Sequence, residues 1–343
     1  MLIFISVIAC ILLLFMRITK TILLLPAFFL LLSCGGNSGK KSLGSLTLDM
    51  ARKSLAEKYP KMPTDEILRQ PNGEKLYKDL QERYKQSLRA LATETDRDGV
   101  KLVVLVMSPN VGKSLTLANT YGIPFITQSC NMMGIEYLDM TPAILAQKAE
   151  AISQMASDDN WSKDGAAFVG EQLTYLMAGY DCFKNNKKFP PGPKPVTFGD
   201  MPPKEDEVID ADKNVKYHIT TNSQGLRMDH DLTFPKKKIR VLIMGNTGVS
   251  CPDLDDKLIP TYLLQQKYPT KEIINAGYQN YTMEDYLDLY MQKARFTEPD
   301  ILIVCTSGED ILNYFFTQRN RFSRIQKVYR PSDNEVEFYE HLN

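Results

Sequence analysis

Ile239-Arg240-Val241-Leu242-Ile243-Met244-Gly245-Asn246-Thr247-Gly248 is an apolar run, preceded by three lysines, that breaks into a small polar turn. A short unbroken run of this kind reads as a strand buried on both faces, as in a parallel sheet. Moving outward, Ile273-Ile274 supplies a second strand, Met283 to Ala294 a helix, and Asp300 to Cys305 a third strand. Strands alternating with helices predict a parallel sheet covered by helices on both faces. Ligands of such sheets gather at the C-terminal ends of the strands. The residues just after Met244, Ile274 and Cys305 are therefore where chemistry is to be sought.

The preceding half of the chain repeats the pattern. Gly73 to Ala92 sets Leu76, Leu80, Tyr84, Leu88 and Leu91 on one stripe, an amphipathic helix. Leu102 to Met107 is a Val-rich buried strand, and Gly134 to Asp139 is a second strand whose end also faces the ligand side. Gly165 to Met177 is a helix with Ala166, Val169, Leu173 and Met177 on one face. Between Lys187 and Asp212 stand Pro190, Pro191, Pro193, Pro195, Pro202 and Pro203 among charges, which predicts a linker or an extended surface loop. The expected organisation is an α/β half over 46–185, a Pro-rich linker over 186–215 and a second α/β half over 216–343.

The N-terminus sets the compartment. Arg17 and Lys20 precede the apolar run Thr21 to Leu32, and Leu31-Leu32-Ser33-Cys34 places small residues around a cysteine, the layout of a secretion signal over 1–34. It resembles the lipobox of bacterial lipoproteins, which implies lipidation of Cys34 and cleavage before it. Met16 gives that signal a normal start. An uncleaved anchor is the alternative, because Leu2 to Leu32 is long enough to span a bilayer. Gly35, Gly36, Asn37, Ser38 and Gly39 open a flexible tether over 35–45.

Composition narrows the partners less. Lys plus Arg and Asp plus Glu are both 41, so no basic excess argues for nucleic acid. Cys130, Cys182, Cys251 and Cys305 form no CxxC pair and no histidines cluster, which speaks against a structural zinc site. The cysteines read either as disulfide partners, permitted by export, or as buried small hydrophobes.

The strand ends carry a family resemblance. Gly245-Asn246-Thr247-Gly248, Asn275-Ala276-Gly277 and Gly308-Glu309-Asp310 fall in the order and spacing of Gly-Asp-Ser, Asn-x-Gly and Gly-x-Asn-Asp. Asn222 to Arg227 and Pro299-Asp300 add to the likeness, and Asp158-Asp159-Asn160-Trp161-Ser162-Lys163-Asp164-Gly165 is similar to an Asp-x-His-Trp-Ser-x-x-Gly block. Together they resemble the SGNH, or GDSL, hydrolase superfamily, in its alginate O-acetyltransferase-like branch, across most of 100–180 and 220–315. The resemblance implies a flavodoxin-like three-layer α/β fold and ester chemistry that needs no cofactor.

Two departures follow. The Asp158 block, which should come last, comes first, so the domain is circularly permuted or the chain joins halves of two copies; order alone leaves both open. Glu335 to Asn343 reads as the start of a further helix, as though a second C-terminal half were cut short. The second departure is chemical. By resemblance Thr247 stands at the nucleophile, Asp158 and Asn160 at the acid and base, and Gly277 and Glu309 at the oxyanion hole. Asparagine cannot serve as a base, and a carboxylate opposes a developing oxyanion.

The substitutions favour a catalytically degenerate, membrane-anchored lipoprotein that binds an envelope glycan or a protein partner. The alternative is an active esterase or O-acyltransferase with rearranged residues. A Ser250 to His230 pair could supply nucleophile and base, whereas a lone histidine in a polar stretch is usually solvated. Asn110 to Ser114 is only loosely a phosphate loop, since Met107 replaces the upstream glycine. Trp161 is a sugar platform or, more commonly for such a residue, a packed aromatic.

Overall fold

The computed structural model describes residues 73–108, 117–157, 160–187, 189, 194–211 and 215–312. The leader, tether and Cys34, the Asn110 to Ser114 loop, Asp158, His341 and Glu335 to Asn343 lie outside the described residues.

Helix α1 (Gly73–Asp98) buries the stripe expected of it, with Glu74 in its first turn and Arg97 in its last, each complementing the helix dipole. Gly99 follows at φ +74, the left-handed conformation that lets the chain leave the helix and enter β1 (Lys101–Val106). Helix α2 (Leu117–Met133) leads to β2 (Glu136–Asp139). The short helices α3 (Thr141–Leu145) and α4 (Ala149–Gln154) lead into a small hairpin of β3 (Ala156–Ser157) and β4 (Asn160–Trp161), then α5 (Lys163–Ala178). A second hairpin, β5 (Asp206–Ala211) with β6 (Val215–Thr220), precedes β7 (Ile239–Gly245). The rest is α6 (Thr247–Ser250), α7 (Pro260–Lys267), β8 (Lys271–Asn275), α8 (Met283–Gln292) and β9 (Ile301–Thr306).

Five strands form one all-parallel sheet in the order β2-β1-β9-β7-β8. Leu102 of β1 and Leu242 of β7 both stand beside Leu302 of β9, so the two halves of the chain share a single sheet. Counted from β7, the order is 2-1-3-4-5, the flavodoxin-like doubly wound arrangement. The first two strands of that order, and the third, come from the second half of the chain and the last two from the first, and the pairing of β1 with β9 joins the halves in one sheet. Helices α1, α2 and α8 pack together, as do α5 and α7, giving the three layers. β9 is buried along its whole length, and each fully buried Val, Leu or Ile contributes about 1.5–3 kcal/mol.

The Pro-rich stretch departs from the expected linker. Phe198 is buried and meets Phe234 edge-on with ring centroids 5.7 Å apart. A Cβ on Gly199 would stand 2.0 Å from the Gly225 carbonyl oxygen, so this backbone contact requires glycine. Just upstream, the Asn185 N–H donates to the buried Asp300 carboxylate at 2.7 Å, which also accepts from Arg240 N–H at 2.8 Å and Lys236 Nζ at 3.0 Å. Proline excludes helix and central ladder here but not packing, and Phe198, the Phe198 N–H bond to the Gln224 carbonyl at 2.7 Å and the Asp200 bonds from Tyr281 and Lys293 tie the segment down. The described cysteines are free; Cys130, Cys251 and Cys305 are buried, and burial pushes the Cys130 and Cys251 thiols up to about 12. They are packed as small hydrophobes.

Candidate functional site

The turns after β7 and β9 are strapped together. Asn246 caps α6 by accepting from Gly248 N–H at 3.2 Å, and its amide donates to Asp310. Asp310 is fully buried, accepts from Ser307 N–H at 3.1 Å, and has its carboxyl pushed up to about 7 by that burial, against the lowering effect of its hydrogen bonds. The asparagine at 246 suits this neighbour. An aspartate there would set a second carboxylate against Asp310, whereas the amide satisfies it.

Glycines make the close approaches possible. A Cβ on Gly277 would stand 2.6 Å from Ser250 N, and one on Gly248 would stand 2.6 Å from Met107 Cε and 3.1 Å from Trp161 Nε1. The Gly277 N–H, expected from the resemblance as an oxyanion donor, donates to Asn275 Oδ1 at 2.9 Å. Glu309, at the other oxyanion position, accepts from Asn119 Nδ2 at 3.1 Å. Asn119 is buried on α2, also donates to Ser108 Oγ at 2.9 Å, and accepts from Gly308 N–H at 3.1 Å. One side chain of the first half thereby fixes the third strand end of the second.

Trp161, in the Asp-x-Asn-Trp block, lines the cavity at the strand ends. Asn160 donates its amide to Asp253, six residues beyond Thr247. Trp161 is 2% exposed, and Gly165 lets it pass, since a Cβ there would stand 2.6 Å from the indole. Ser162 caps α5 by accepting from Gly165 N–H at 3.1 Å. Trp161 is therefore a packed aromatic and not a sugar platform. Its Nε1, like the Ser250 hydroxyl, is buried without a hydrogen-bond partner.

What remains at the strand ends is a cavity of about 30 Å³, lined among others by Trp161, Asn246, Thr247, Ser307 and Glu309. Residues from both halves thus line one cavity. The Ser250 to His230 pair is not made: His230 bonds Asp229 through Nδ1, at 2.5 Å, and lies 3.8 Å from Glu272 through Nε2. His230 lines a separate cavity of about 530 Å³, together with His218. Asn119 and Asp253 were not legible as site residues, because neither falls in a motif. Asp310 ends the Gly-x-Asn-Asp block and could have been found from it.

No protein-family model and no curated protein matches the chain. Among solved structures it is similar to the O-acetyltransferase domain of Pseudomonas putida AlgJ, at 12% identity and a TM-score of 0.43, over 71% of this chain and 86% of that one. It is similar to Pseudomonas aeruginosa AlgX at 16% identity and a TM-score of 0.36, over 67% and 61% of the two chains. Bacillus cereus PatB1 matches at 10% identity and a TM-score of 0.39, over 68% and 90%. The flavodoxin-like three-layer α/β fold of this chain is given by its own strand order.

Proposed function

We propose that the chain is a lipoprotein of the bacterial cell envelope, held by a lipid on Cys34, whose SGNH-like domain has lost catalysis and binds an envelope glycan or a protein partner. The size of the strand-end cavity carries this reading. About 30 Å³ holds roughly one water molecule, whereas sites for small organic ligands run to several hundred Å³.

The side chains point the same way. Thr247 carries an extra methyl that restricts its rotation, Asn160 cannot take a proton, the Gly277 N–H is engaged by Asn275, and Glu309 is negative where negative charge must develop. Loss of base and oxyanion donor each costs about 10² to 10⁴ in rate. The test is hydrolysis of nitrophenyl acetate by the purified protein, with Thr247→Ala as control; hydrolysis that depends on Thr247 would replace this reading with an active esterase or O-acyltransferase.

A further inference from the structure

The cavity of about 530 Å³ lies away from the strand-end turns, against the sheet edge formed by β8, and has the size of a small-molecule site. Its apolar wall is made by Met228, Ile259 and Ile273, all buried, with the ring of Tyr262 beside them. Arg227 and Asp256 also line it, but they neutralise each other at 2.8 Å, and Arg227 further donates to the Leu254 carbonyl at 2.6 Å and to that of Cys251 at 2.8 Å. That ion pair is structural.

Asp255 differs. Its carboxylate accepts from the backbone N–H groups of Lys257 at 3.0 Å and His218 at 3.2 Å, with the Lys257 and His218 side chains adding a smaller favourable charge effect. The first of these bonds is the main reason its carboxyl lies below the usual range, so it is ionised at neutral pH. Lys257 is exposed on a flexible stem and can carry its ammonium into solvent. A fixed carboxylate beside an aromatic face and an aliphatic wall is complementary to a cationic nitrogen on a short apolar body.

We propose that this cavity is a second binding site, which takes a small organic amine with its ammonium on Asp255 and its alkyl body against Tyr262 and the Met228, Ile259 and Ile273 wall. The site is independent of whether the strand-end crevice is catalytic. The probe is 1,5-diaminopentane, titrated calorimetrically into the full-length processed protein in detergent, with 1,5-pentanediol as a neutral match of the same length. The diamine should saturate a single site and the diol should not. Asp255→Asn keeps the acceptor for the Lys257 N–H while removing the charge, and should weaken diamine binding at least about tenfold with the melting temperature unchanged. Tyr262→Ala should weaken it several-fold. Failure of the diamine to saturate, equal binding of the diol, or full affinity in Asp255→Asn would each overturn the assignment.

Discussion

Asn160 and Asp253, 93 residues apart in sequence and on opposite halves of the chain, are joined by an amide-to-carboxylate hydrogen bond. The side chain that the resemblance sets at the base position is therefore a donor held by an acid. Asn160→Ala should cost about 0.5–1.5 kcal/mol in denaturant unfolding. It should also shift the emission of Trp161, the single tryptophan of the chain, to the red. Unchanged emission would mean that this bond does not hold the β3–β4 hairpin against the crevice.

Trp161 is 2% exposed, so Trp161→Ala should destabilise the fold by about 3–5 kcal/mol. Gly277→Ala should cost about 1–3 kcal/mol, because its new methyl meets the Ser250 backbone nitrogen. Thr247→Ala should cost less than either. Urea melts of the three variants check the ranking, and a Trp161→Ala protein as stable as the parent would show that the indole is not a packing element.

Burial raises the Asp310 carboxyl from its ordinary value to about 7. The folded state then holds a proton that the unfolded chain has lost, and stability from this group is fully present below the ordinary carboxyl range and lost as pH rises through about 7. The melting temperature of the parent relative to Asp310→Asn should fall across that window and be flat above it. A difference that does not vary with pH would show that Asp310 is ionised throughout.

Much of this fold is legible in the sequence. The β1, β7 and β9 runs are unbroken and apolar because both faces of each strand are covered, and the α1 stripe keeps a clean helical period. The α7 helix was not, since it is short, begins at Pro260 and is half polar; nor was β5, which lies among prolines. At the site, the strand-end glycines and Asn246 were readable because local turn geometry demands them. The Trp161 contact with Gly248, the Asn119 bond to Glu309 and the Asn160 bond to Asp253 were not, because each partner comes from a distant segment brought near only by the shared sheet.

The lipobox predicts a mature protein that begins at an acylated Cys34 and partitions into detergent. Mass spectrometry of the N-terminal peptide checks it; an unmodified Cys34, or a retained segment from Met16 to Lys20, would count against the anchor.

The strand-end turns can also be asked to work again. Thr247→Ser with Asn160→His and Glu309→Asn restores the family's groups, and the new imidazole would stand beside Asp253. If backbone geometry has been kept, this variant should gain measurable esterase activity. Silence would mean that the backbone geometry, as well as the side chains, has drifted away from catalysis.

The most direct test of a disarmed site is nitrophenyl acetate hydrolysis by the purified parent protein at mildly alkaline pH, read against Thr247→Ala. The account predicts that both proteins match the uncatalysed background. Turnover in the parent that disappears in Thr247→Ala would contradict it.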